Sequence, residues 1–85
     1  MKVRIPSVLL SYTRAKEVQA TGATLGEVLA DLDRQFPGLR FRVVDEQDAL
    51  RPHVRFFINE EQAGSLRDPI GPRDELIIVQ ALSGG

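Results

Sequence analysis

At the start of the chain Val3 and Ile5 alternate with Lys2 and Arg4. A period of two is the pattern of a half-buried strand. It predicts a strand over residues 2–10, with a bulge or strand end at Pro6, which cannot donate to a ladder. Residues 16–20, Lys-Glu-Val-Gln-Ala, read as a partner strand across a turn at Ser11–Ala15. The period then changes. Leu25, Val28, Leu29, Leu32 and Phe36 recur on one helical face, with Asp31, Asp33, Arg34 and Gln35 on the other. Thr24 and Glu27 have capping-box spacing at the helix start. Pro37-Gly38 ends the helix, because proline disfavours a helical residue before it and glycine accepts a left-handed one.

Residues 39–53 have no clear period. Phe41, Val43 and Val44 predict a short strand or apolar contacts beneath a loop, and Asp45 to Asp48 a solvated turn. Val54, Phe56 and Ile58 then alternate with Arg55, Phe57 and Asn59, which predicts a strand with two unlike faces. Asn59 to Gln62 reads as a turn, and Pro69, Gly71 and Pro72 mark a loop. Leu76 to Gln80 is a final β-rich strand, followed by Ala81-Leu82-Ser83-Gly84-Gly85. The order strand, strand, helix, strand, strand predicts an α+β domain. In it a mixed four- to five-stranded sheet packs on one helix, which supplies the crossover that a parallel pair needs.

Composition narrows the chemistry. Eighty-five residues suffice for one modest core, burying roughly 60–65% of the unfolded surface. Eleven basic and twelve acidic side chains give a net charge of −1, without the basic excess of a nucleic-acid binder. Residues 1–42 carry seven basic and four acidic groups, and residues 43–85 four and eight, so the second half would attract a basic enzyme surface. The absence of cysteine excludes disulfides, thiol nucleophiles and thiolate metal sites. His53 is the single histidine, and no carboxylate cluster is spaced to join it around a metal. No run approaches a membrane span, and the first residues lack a signal-peptide core. These features point to the cytoplasm, with neither a nucleic-acid nor a membrane partner. There is no phosphate-binding loop and no Ser/His/Asp arrangement, so the chain is not expected to be an enzyme.

The tail stands apart. At a glycine usage of about 7%, two final glycines occur by chance in roughly 0.5% of chains. Gly84-Gly85 forms a thread without side chains that can enter a narrow tunnel and adopt unusual backbone angles. Its chemistry would be activation of the Gly85 carboxylate as an acyl adenylate, which a sulfide or an amine can then attack.

Asn59-Glu60-Glu61, Leu66, Pro72-Arg73-Asp74-Glu75-Leu76-Ile77-Ile78 and Ala81-Leu82-Ser83-Gly84-Gly85 together resemble the C-terminal half of the MoaD/ThiS sulfur carriers. Thr24-Leu25-Gly26-Glu27-Val28-Leu29 resembles their helix start. The sequence departs from the family at Glu60, where glycine is frequent, at Pro72-Arg73, which replaces Asp-Gly, and at Gln80-Ala81 before the tail. The resemblance implies a β-grasp, ubiquitin-like domain over residues 1–81 and a flexible Gly-Gly tail over residues 82–85. It implies that an E1-like enzyme adenylates the Gly85 carboxylate with ATP and magnesium. A sulfur donor then converts the carboxylate to a thiocarboxylate, and an acceptor biosynthetic enzyme takes the sulfur. No cofactor would be bound by the carrier itself. Ile5-Pro6-Ser7-Val8-Leu9 and the overall length favour the cysteine-biosynthesis branch, with a cysteine synthase-type acceptor. The alternatives are the small subunit of molybdopterin synthase, partnered by its large subunit, and a ubiquitin-like modifier conjugated to lysines. A plain β-grasp interaction module is a further reading.

Leu82, Ser83 and Gly84 would carry the reactive end into partner enzymes. If Leu76 and Ile78 face the helix, Ile77 and Val79 fall on the open face, and Phe57 joins them by its phase. Phe57, Ile77 and Val79 are the expected partner-binding patch, running to Leu82 and framed by Arg4 and Arg55. The alternative is that residues 39–53 cover it.

Overall fold

The structure is a computed structural model, and its description covers residues 1–80. Five strands form one sheet in the order β2-β1-β5-β3-β4. They are β1 (Lys2–Arg4), β2 (Glu17–Gln19), β3 (Val54–Ile58), β4 (Glu61–Ala63) and β5 (Glu75–Gln80). β1 and β5 are parallel, while the pairs β1–β2, β3–β5 and β3–β4 are antiparallel. The mixed sheet is the expected β-grasp arrangement. Three helices accompany it, α1 (Leu10–Thr13), α2 (Leu25–Gln35) and α3 (Leu39–Val43), so the expectation of a single helix is corrected.

The first strand ends at Arg4, well short of residue 10. Alternation stops at Ile5, and Pro6 has no N–H for a ladder. Val8, Leu9 and Leu10 are consecutive, and of these Leu9 is buried. The chain meets that pattern with a 3₁₀ turn (Ser7–Leu9) leading into α1. Arg14 closes the segment at φ 57°, its N–H donating to the Leu10 carbonyl at 2.7 Å. The connection to β2 is therefore helical, where a hairpin turn was expected.

α2 follows its sequence signals closely. The Thr24 Oγ1 accepts from the Glu27 N–H at 3.2 Å, and Glu27 Oε1 accepts from the Ala23 N–H at 3.0 Å. Leu25, Val28, Leu29 and Leu32 are buried, and Phe36 packs at the edge of the core. Two more N–H groups of the first turn find carbonyls outside the helix: Leu25 donates to Asp68 and Gly26 to Leu66, both at 2.9 Å. The polar face also does more than meet solvent. Asp31 accepts from the Thr21 N–H, and Asp33 Oδ1 accepts from the N–H groups of Gly38 and Arg40, each at 3.1 Å.

Residues 39–43 form α3, where a strand or loop was expected. Gly38, at φ 95°, turns the chain, and Asp33 satisfies the N–H groups that a helix start leaves open. Leu39, Val43 and Val44 enter the core beside α2, while Phe41 is 59% exposed. Segment 39–53 thus packs with the helices and leaves the opposite face of the sheet open. The core itself lies between that helical layer and Val3, Val54, Phe56, Leu76 and Ile78 of the sheet.

The β3–β4 connection is tighter than predicted. Ile58 pairs with Glu61, which confines the turn to Asn59-Glu60 and makes Glu61–Ala63 a strand. A two-residue hairpin needs positive φ within the turn, and Asn59 supplies it at 58°. Glu60 is not among the positive-φ residues, so a side chain is tolerated where the family often has glycine. The same holds at Pro72-Arg73.

Candidate functional site

β5 runs through the middle of the sheet and leads directly into the tail. Leu76 and Ile78 are buried against the helices, whereas Ile77 and Val79 are half-buried on the other face. Register brings the predicted residues together. Phe57 pairs with Ile77, Ile77 with Arg4, and Arg55 with Val79. Phe57, Ile77 and Val79 therefore share one open surface, as their phase required. Each is half-buried, because long side chains on adjacent strands partly cover one another.

Arg4 and Arg55 border the patch in different ways. The Arg4 Nε lies 3.3 Å from Glu75 Oε2, in a pair that Lys2 approaches at 4.0 Å. Arg55 turns its guanidinium to the carbonyls of Pro52 and Val54. The predicted tail residues Leu82, Ser83, Gly84 and Gly85 lie outside the described residues.

The motif preceding β5 proves to be a clamp. Asn59 Nδ2 donates to Asp74 Oδ1 at 3.1 Å, and Asn59 Oδ1 accepts from the Glu75 N–H at 3.1 Å. The Asn59 N–H donates to the Glu75 carbonyl at 2.8 Å. Asp74 Oδ2 accepts from the Gly71 N–H at 2.7 Å. That bond, with the Asn59 amide, holds the Asp74 carboxyl below the usual aspartate value. Asn59 and Asp74 thereby join the β3–β4 turn to the turn that launches β5. Their role is positional: they fix the strand from which the tail departs.

Sequence reasoning missed a second feature, at the other end of β5. A pocket of about 220 Å³ is lined by Pro6, Val8 and Leu9 on one side, Arg42, Val43, His53 and Val54 on another, and Ile78, Val79 and Gln80 below. Two of its walls include Val8, Leu9, Arg42 and Val43, from segments whose helical structure the sequence pattern did not reveal, so no local signal marked it. Among the described residues no cluster of histidine, aspartate or glutamate could hold a metal ion. No described helix is long and apolar enough to cross a membrane.

The ThiS family model matches residues 3–85. The chain belongs to the ThiS family. Its similarity to named relatives extends over nearly the whole sequence. The sulfur carrier protein CysO of Mycobacterium tuberculosis is 34% identical, over 98% of this chain and 96% of that protein. Among solved structures, the chain matched from the Amycolatopsis orientalis BexX/CysO complex is 32% identical, with a TM-score of 0.90 over 99% of this chain and 98% of that one. SAMP1 from Haloferax volcanii is 28% identical, with a TM-score of 0.79 over 100% of this chain and 98% of that one. The ThiS-family match includes both halves of the sheet and the sequence that follows β5.

Proposed function

We propose that the chain is a sulfur carrier whose C-terminal glycine holds the sulfur as a thiocarboxylate, and that it serves cysteine formation. Near-full-length similarity to the CysO sulfur carrier carries this reading. The Gly85 carboxylate attacks the α-phosphate of ATP in an E1-like enzyme that uses magnesium, and pyrophosphate leaves. A sulfide equivalent from the sulfur donor displaces AMP, leaving the thiocarboxylate. A cysteine synthase-type enzyme accepts that sulfur. The carrier contributes a rigid strand, a side-chain-free end and a docking surface at Phe57, Ile77 and Val79. It is a co-substrate of its partners and needs no cofactor of its own.

Intact mass of the untagged protein from its native host tests the reading. The expected result is a species heavier by one oxygen-to-sulfur exchange. Unmodified mass alone, after incubation with ATP, sulfide and the host's E1-like enzyme, would overturn it.

Similarity to SAMP1, the small archaeal modifier protein 1 of Haloferax volcanii, favours one second reading. The same activated glycine could acylate lysines of other proteins. A ladder of high-mass carrier conjugates that survives reducing agent would support it.

A further inference from the structure

The two ends of the sheet differ in how their charges are paired. The Asn59 end gathers Glu60, Glu61 and Asp68 around one cleft, with Asp74 and Glu75 close by through the Asn59 clamp, and Glu75 there pairs with Arg4 and Lys2. The opposite end, where β5 gives way to the tail, carries Arg42 and His53 on the pocket wall, with Arg55 beside Val79. Arg51 adjoins them, its guanidinium 4.7 Å from the Phe41 ring centroid and its Nε donating to the Phe41 carbonyl. Among the described residues no carboxylate comes within ion-pair distance of Arg42, Arg51 or Arg55. Arg51 acts from further away on Asp45, as the smallest of the influences on that carboxyl. Acidic residues are concentrated in the second half of the sequence, but Glu60, Glu61, Asp68, Asp74 and Glu75 lie toward the end of the sheet opposite Gln80.

The same end exposes apolar surface. Val8 is 50% exposed on the pocket wall, and Phe41 is 59% exposed beneath Arg51. These are the two exposed large apolar side chains of the described residues, and neither belongs to the Phe57–Ile77–Val79 patch. A cavity of about 150 Å³ can hold a benzene ring, so about 220 Å³ accommodates one leucine- or phenylalanine-sized side chain.

We propose that this pocket and its cationic rim form a second docking site, taking an acidic segment of the enzyme that activates the C-terminal carboxylate, with one apolar side chain in the pocket. The inference rests on the sulfur-carrier reading. Opposite charges around the tail root would steer the carrier end-on, so that the tail meets its channel before close contacts form. The open sheet face offers only the half-buried Phe57, Ile77 and Val79. The pocket, which shares Val79 with that face, adds an anchor at its edge and fixes the rotation of the carrier about the axis of β5.

ATP–pyrophosphate exchange by the host's E1-like enzyme, measured against carrier concentration, tests the site. Arg42→Glu and Arg55→Glu are each expected to raise the KM for the carrier about tenfold, with kcat unchanged. Val8→Asp should act similarly. Arg42→Lys should retain most of the affinity. Added salt should raise the wild-type KM more than that of the Arg42→Glu, Arg55→Glu double variant. Glu60→Lys, at the far end, should leave KM unaltered. Thermal unfolding of each variant separates a lost contact from a lost fold.

Unchanged KM in correctly folded variants, with normal exchange, overturns the docking site and leaves sulfur carriage intact. Failure of the wild-type chain to support exchange overturns both. If sedimentation shows head-to-tail self-association that Arg42→Glu abolishes while KM stays constant, the basic end belongs to a contact between copies and the proposal is wrong.

Discussion

Gly22 shows how far a single position can be constrained by its neighbours. At φ 157° a built Cβ would lie 2.7 Å from the Val28 nitrogen and 2.9 Å from the Glu27 carbonyl carbon, both backbone atoms at the start of α2. Gly22→Ala must therefore displace the helix start, and destabilisation of about 1–3 kcal/mol is expected from urea unfolding. Asp74 gives a pH-dependent counterpart. Its carboxyl is held below the ordinary aspartate value by the Gly71 N–H, then by Asn59. Asp31, through Arg34, and Asp45, through the Ala49 N–H, are lowered as well. A carboxylate whose folded pKa is depressed stabilises the fold above its unfolded pKa and loses that contribution as pH falls through the folded one. The urea midpoint should be flat near neutrality and decline below about pH 4. Asp74→Asn should make that decline shallower. An unaltered acid slope in this variant would rule out a contribution from the clamp.

At the scale of elements, legibility followed the range of the forces involved. α2 could be read from Thr24 to Gly38 because its cap, apolar stripe and stop are all local. Thr24→Ala should cost about 1 kcal/mol in chemical unfolding, with Glu27 unable to compensate from the N3 position alone. Alternation also identified β3 and β5, whose two faces meet different surroundings. The sequence pattern failed where short helices draw their stability from elsewhere. α3 has five residues, too few to persist alone. It forms because Leu39 and Val43 reach the core and Asp33 caps its start. α1 depends in the same way on burial of Leu9 and on the left-handed Arg14. Neighbouring residues contrast accordingly: Phe56, 1% exposed in the core, should cost about 3–5 kcal/mol on truncation to alanine. Phe57, half-buried on the open face, should cost much less in urea unfolding while weakening partner binding.

At the scale of the whole molecule, the fold separates stability from chemistry. The Asn59–Asp74 clamp and the central position of β5 hold the tail's root, while the acyl chemistry proposed for Gly85 needs nothing from the core. One residue added after Gly85 is therefore expected to abolish thiocarboxylate formation, read by intact mass, and to leave the thermal midpoint nearly unchanged. Thiocarboxylation of the extended chain without prior trimming would contradict the proposed route. The sequence alone determined α2, the alternating strands, the lack of cysteine and the Gly84-Gly85 pair, since each depends on residue identity or on spacing along the chain. Only the tertiary structure decided that residues 7–13 and 39–43 are helical and that Asn59 and Asp74 form a clamp. It also determined that Arg42, Arg51 and Arg55, with no described carboxylate within ion-pair distance, gather at the end of the sheet where β5 finishes. Those outcomes rest on contacts between segments distant in sequence, and no local pattern specifies such contacts before the chain has closed upon itself.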